Sequence, residues 1–180
     1  MAVTLKIGRH LLDLTDPKPE LIDLHAIERS LWTARRFSNN PDSLLVRQHT
    51  ALVLACAMRI GAPKEVLVWC SYHDDHEGII GDIPGPLKHF IEQAFPGFAA
   101  MELGLDHAIC DARKIARPTH DIRQQVHFFD KFAETLEWRF VMDQPEAMWN
   151  KPVHNWIAED ECRKMAEIVQ RLKPPVELGL

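Results

Sequence analysis

The chain has no excess of basic residues. Its 21 Lys and Arg stand against 26 Asp and Glu over 180 residues, a formal net charge of −5. A protein that holds nucleic acid or an anionic membrane on a broad basic face carries the opposite balance, so neither partner is expected. A small anion in a local positive pocket remains allowed. There is no CxxC pair: Cys56, Cys70, Cys110 and Cys162 lie far apart. Cys56 and Cys70 fall inside apolar helical patterns, where a thiol behaves as a small hydrophobe, so four reduced cysteines are expected. Nowhere do about 18 apolar residues run without a charge, which predicts no membrane span. The N-terminal stretch carries Lys6, Arg9 and Asp13 where a signal peptide would be apolar. Repeats, low-complexity tracts and linkers are missing too, so residues 1–180 are read as one domain. The expected setting is cytoplasmic.

Strand signals are also scarce. Val3–Ile7, with Leu11–Leu14, reads as a short extended or hairpin-like start ending at Asp16-Pro17. Beyond it the apolar spacing is helical. Ile22, Ile27, Leu31 and Ala34 share one face, with Asp23 placed to cap. A turn-rich loop around Asn40-Pro41 leads into an apolar helix ending near Arg59, and Gly61 and Pro63 separate that helix from one over Lys64 to about His73. GIIGDIPGP cannot continue a helix and must be a shaped loop. Pro86 then starts a helix carrying Leu87, Phe90, Ile91 and Ala94 on one side. Further helices are predicted over about Phe98–Ile115, Asp121–Met142 and Ala158–Leu172. The expected fold class is all-α, a bundle of six or seven helices.

Three places hold residues of metal-binding type. His49 sits in the apolar helix, His73-Asp74 ends the next, and Asp130 lies among Phe128, Phe129 and Phe132. Singly, each has a plain structural reading: a hydrogen-bonded core histidine, a solvated helix end, or a carboxylate on a polar face beside Glu134 and Glu137. Together they favour a shared ion. An unpaired carboxylate among apolar neighbours costs several kcal/mol, and one divalent cation would satisfy both His49 and Asp130. Imidazole with carboxylate suits zinc, cobalt, manganese or iron.

The pattern His49, His73-Asp74, Asp130 resembles the H…HD…D signature of HD-domain phosphohydrolases. HDDHEGIIGDIPGPLK (residues 73–88) is similar to the HDxxExxxGDxPxPxK stretch of their 5′-deoxynucleotidase branch and its phage-encoded dATP triphosphohydrolase-type relatives. The upstream segment from Asp16 to Thr50 resembles that branch as well, where an Arg-aromatic pair precedes the first histidine. The resemblance covers about Leu14 to Met142 and implies an HD-domain helical bundle. It also implies metal ligands His49, His73, Asp74 and Asp130, holding one divalent ion (Co, Mn, Zn, Mg or Fe) per site. Glu77 and Asp82 match acids that would carry protons, and Arg36, Phe37 and Lys88 match substrate-binding positions. Phe37 departs from the tryptophan of the bacterial enzymes, and Asp75 and His76 replace small residues. A second ion is expected only if His76 or His107 points inward. Trp138 and Phe140 read as core, and Trp149 and Trp156 as covering it or meeting a partner subunit.

These readings lead to a metal-dependent phosphohydrolase that releases phosphate from deoxynucleoside 5′-monophosphates. A dNTP triphosphohydrolase is the alternative within the enzyme class, with Arg35 and Arg47 as extra cations. A non-catalytic, metal-bound nucleotide sensor is the alternative outside it. The resemblance places the chain in a bacterial or phage-infected cell, with a nucleotide as small-molecule partner and a homodimer or larger homo-oligomer as its assembly.

Overall fold

The computed structural model describes residues 3–144 and 157–175, and there the weak strand signal yields only a two-stranded hairpin. Thr4–Ile7 (β1) pairs antiparallel with His10–Asp13 (β2), Thr4 opposite Asp13 and Ile7 opposite His10. Ile7 and Leu12 turn inward from it. A 3-10 turn at Pro19–Leu21 follows, and then the chain is helical. The nine helices among the described residues are α1 (Leu24–Leu31), α2 (Arg36–Asn39), α3 (Val46–Arg59), α4 (Lys64–Cys70), α5 (Glu77–Ile80), α6 (Gly85–Ala94), α7 (Phe98–Arg113), α8 (His120–Leu136) and α9 (Glu159–Gln170). The fold is thus an all-α bundle. Seven of the helices fall where apolar periodicity predicts them; α2 and α5 are single turns inside segments that read as loops. Asp23 caps α1 as its position suggests, accepting from the Ala26 N–H at 3.0 Å.

The core has two parts. Leu52, Val53 and Cys56 of α3 meet Val66 of α4, Phe129, Phe132 and Leu136 of α8, and Val169 of α9. A second cluster joins the hairpin to α1, α5 and α7 through Leu12, Ile27, Leu31, Ile79 and Leu105. There α5 lies backbone-on against α1: a Cβ on Gly78 would come within 2.8 Å of Ile27 Cγ2. Gly81, at φ +84°, ends α5 and swings the chain into Asp82.

Two predicted helices stop well short, and a third buries no face. α4 stops at Cys70 instead of His73, because the following residues close successive three-residue turns, Tyr72 N–H to Trp69 O and Asp75 N–H to Tyr72 O, both 3.1 Å. α8 stops at Leu136, and Glu137–Val141 continues as a wider π turn. α6 buries none of its residues; Leu87 is 48% and Phe90 66% exposed. Trp149 and Trp156 lie outside the described residues.

Candidate metal centre

His49 lies in the first turn of α3 and is fully buried, because its neighbours Val46, Leu52 and Val53 form that helix's core face. α3 packs on α8, which brings His49 Nε2 within 3.0 Å of Asp130 Oδ1. His73 stands in the turn after α4, where its Nδ1 donates to the Cys70 carbonyl at 3.1 Å. That bond makes Nε2 the nitrogen through which the neutral ring would bind an ion. His73 Nε2 lies 3.1 Å from Asp74 Oδ2 and 4.0 Å from Asp130 Oδ1. Asp74 Oδ2 in turn is 3.9 Å from His49 Nε2.

One ligand atom each from His49, His73 and Asp130 lies within 4.8 Å of the others, the one such group among the described residues. A tetrahedral ion with bonds of about 2.0–2.2 Å sets its ligands about 3–4 Å apart, so a small inward adjustment closes the set. The donor chemistry fits. His73 Nε2 is buried without a hydrogen bond of acceptable geometry, and a cation is the partner its lone pair can take. The group could therefore hold a metal ion, with Asp74 adjacent to both imidazoles.

The electrostatics show how strongly these acids demand positive charge. Burial opposes ionisation of Asp130, yet the His49 hydrogen bond holds its carboxyl below the usual range. Burial likewise opposes ionisation of Asp74, and His73 and Arg36 hold it well below the usual value. Burial disfavours the imidazolium of His73, but Asp74 and Asp130 lift it to about 9. Glu77 behaves in the opposite sense: burial and then the Asp74 charge raise its carboxyl well above normal. Its Oε2 is buried without a hydrogen bond.

Behind the HD turn lies a salt-bridged anchor. Asp75, 1% exposed, accepts from Arg113 Nε at 2.6 Å and faces Arg47 Nη2 at 3.4 Å. Arg47 is bonded to Glu28 and to the Ser71 carbonyl, the latter at 2.9 Å, and Arg113 sits over the Tyr72 ring at 4.3 Å. The turn bearing His73 and Asp74 is thereby tied to α1, α3 and α7 from the side away from the metal group.

In front of the group opens a cavity of about 660 Å³ lined by Arg36, Phe37, Asp74, His76, Glu77, Asp82, Lys88, Asp130, Lys131 and Trp138, among others. Arg36 is buried, its Nη1 3.5 Å from Asp74 and 3.8 Å from Asp82, its Nε 3.5 Å from Glu137. It precedes three consecutive left-handed residues, Phe37, Ser38 and Asn39, at φ 53°, 56° and 62°. Such backbone costs about 1–2 kcal/mol per residue and persists only where its surroundings fix it. Here Ser38 N–H donates to Asp82 at 3.2 Å, Arg35 N–H to the Asn39 side chain at 3.0 Å, and Ser43 Oγ to the Arg36 carbonyl at 2.9 Å. The turn sets Phe37 against Trp138, ring centroids 4.7 Å apart.

The nine residues matched to ligand, proton-carrying and substrate-binding positions gather here: His49, His73, Asp74 and Asp130 in and beside the cluster, and Glu77, Asp82, Arg36, Phe37 and Lys88 on the cavity. Lys88 Nζ pairs with the buried Glu102 at 2.8 Å. Trp138, read as core, instead lines the cavity. His76 turns to Asp106 at 3.0 Å and Glu102 at 3.8 Å, and His107 does not join the metal group. Arg35 and Arg47 stand apart from this cavity: Arg35 donates to the Ser43 carbonyl at 2.5 Å, and Arg47 lines a separate hollow of about 330 Å³ with Tyr72 and Arg113. Sequence reasoning passed over Lys131, 2.6 Å from Glu134, and Glu137, which is fully buried instead of sharing a polar face with Asp130.

Fold and cluster together define an all-α protein with a candidate metal centre beside a cavity lined by both charged and apolar side chains. No protein-family model matches the chain, and no curated protein matches it at a significant level. No helix among the described residues is long and apolar enough to cross a membrane.

Proposed function

We propose that the protein is a metal-dependent phosphohydrolase of the HD-domain type that releases phosphate from nucleoside 5′-monophosphates, deoxynucleotides first among them. One observation carries the reading. The His49–His73–Asp130 group borders a cavity that also presents a buried guanidinium, Arg36, and a half-buried acid, Glu77, whose Oε2 is buried without a hydrogen bond.

A divalent cation held by His49, His73 and Asp130, with Asp74, would supply Lewis-acid activation of a phosphoryl group and of water. The remaining work falls to this chain's side chains. Arg36 offers a planar fork to the non-bridging oxygens, and Lys88 and Lys131 add point charges at the rim. Because Arg36 already faces Asp74, Asp82 and Glu137, its position is fixed before substrate arrives, which lowers the cost of orientation. Glu77 lines the cavity with one oxygen that no hydrogen bond engages and can carry a proton between water and leaving group; Asp82, 3.8 Å from Arg36, is a second acid on the cavity. Phe37 and Trp138 present aromatic surface suited to a ring-bearing substrate.

The monophosphate is favoured over the triphosphate by the cations. Arg35 and Arg47, which a longer phosphate chain would require, are engaged away from this cavity. The test is product analysis of the purified protein with dNMP, NMP and dNTP panels under Co²⁺, Mn²⁺, Mg²⁺ or Zn²⁺, with Asp74→Ala as control. Nucleoside plus phosphate from monophosphates is expected. Triphosphate release would replace this reading with the dNTP hydrolase, and nucleotide binding without turnover would replace it with the sensor.

A further inference from the structure

Among the described residues Glu137 is the one glutamate with no exposed surface, and it lies where α8 widens into a π turn, a distortion often found at functional sites. A buried carboxylate without compensation costs several kcal/mol, so its surroundings report its purpose. Oε1 accepts from the Leu44 N–H at 2.9 Å. Oε2 faces two groups at once, His49 Nδ1 at 3.3 Å and Arg36 Nε at 3.5 Å. His49 presents its other nitrogen, Nε2, to Asp130. The carboxylate therefore sits behind the imidazole, on the side away from the metal group, and against the guanidinium that borders the cavity.

The same neighbourhood repeats one residue on. Arg36 meets Glu137, and the next residues, Phe37 and Trp138, meet ring to ring at 4.7 Å. Two dipeptides, 36–37 and 137–138, lie side by side with an ionic rung and an aromatic rung. Phe37 of the first opens the left-handed run, and the second lies in the π turn. Neither distortion would be retained by local propensity; each brings its rung into register.

Resting on the metal-centre reading above, we infer that Glu137 is a positioning residue that fixes His49 with Nδ1 protonated and Nε2 toward the metal, and that holds Arg36 from the same oxygen. A carboxylate behind a ligating imidazole orients the ring and raises its basicity, and losing it typically weakens metal binding 10–100-fold. Coupling through one oxygen means that the ligand and the substrate cation are set as a unit.

The test has two arms. In the first, metal-stripped wild type and Glu137→Gln are titrated with Mn²⁺; glutamine keeps the acceptor for Leu44 N–H and removes the charge. A 10–100-fold weaker affinity in a variant that is folded by circular dichroism supports the inference. An affinity within about twofold of wild type overturns it, even if the melting temperature falls, because a merely structural carboxylate would change only the latter. The second arm needs no variant. In the Zn²⁺-loaded wild type, long-range ¹H–¹⁵N spectra should show His49 with Nε2 metal-bound and Nδ1 protonated. Binding through Nδ1 would overturn the inference while leaving the metal centre standing. A wild type that takes up no metal would overturn the centre itself, and this inference with it.

Discussion

Asp75→Ala removes the anchor that holds the HD turn from behind. Its carboxylate is 1% exposed and accepts from Arg113 Nε at 2.6 Å, with Arg47 Nη2 at 3.4 Å. Deleting one member of a buried ion pair costs about 3–5 kcal/mol, chiefly because the other charge is left without a partner. Part of that penalty is relieved here. Glu28 remains bonded to Arg47 Nε at 2.8 Å and lies 3.9 Å from Arg113 Nη2. With roughly half the penalty met, the expected loss is about 2 kcal/mol. In a domain of this size that lowers Tm by about 4–8 °C. Thermal unfolding followed by far-UV circular dichroism, on metal-stripped protein, reads it directly. Asp75→Asn, which keeps an acceptor for Arg113 and loses the charge, should fall between wild type and alanine. A shift below 1 °C for Asp75→Ala would refute the reasoning, since it would mean that the turn carrying His73 and Asp74 is held by something else.

Other expectations are smaller in scope. Glu77→Gln should leave metal binding intact and lower turnover by about 10²–10⁴-fold, the usual share of a proton carrier; steady-state rates with equilibrium metal titration separate the two, and loss of metal would make Glu77 a ligand. Gly78→Ala places a methyl within 2.8 Å of Ile27 Cγ2 and should cost about 1–3 kcal/mol of stability in denaturant unfolding; an unchanged midpoint would mean that α5 can lift from α1 freely. The four thiols are buried, and burial pushes Cys70 up to about 12 and Cys110 to about 11. An aromatic disulfide reagent at pH 8 should therefore find none reactive in the native protein and four after denaturation. Fast reaction of any native thiol would contradict the packing.

Much of this architecture was written in local pattern. The seven longer helices follow apolar spacing that no distant contact has to supply, and Asp23, Gly61 and Pro86 mark boundaries by their own chemistry. The candidate site was legible through residues 73–88 because turn formers and ionisable groups alternate there in a way that a solvated loop does not require. What stayed hidden depends on partners far along the chain. Spacing sets Glu137 on one helical face with Asp130 and Glu134, and that face reads as polar; only the approach of Arg36 and His49 turns it into a buried carboxylate. The turns that end α4 early carry Asp75, whose partner Arg113 lies 38 residues later. Trp138 looks like core in any apolar window, and it reaches the cavity because the ladder widens one residue before it. The left-handed run at Phe37–Asn39 has no glycine to announce it and is held by Asp82 from across the cavity mouth.

The most direct test of the central claim is calorimetric titration of metal-stripped protein with Mn²⁺ or Co²⁺, wild type beside Asp130→Asn. The account predicts one ion per chain in the wild type. The variant should bind far more weakly, because a metal-facing carboxylate is lost while the helix that carries it is kept. No uptake by the wild type, or equal uptake by both, would contradict it.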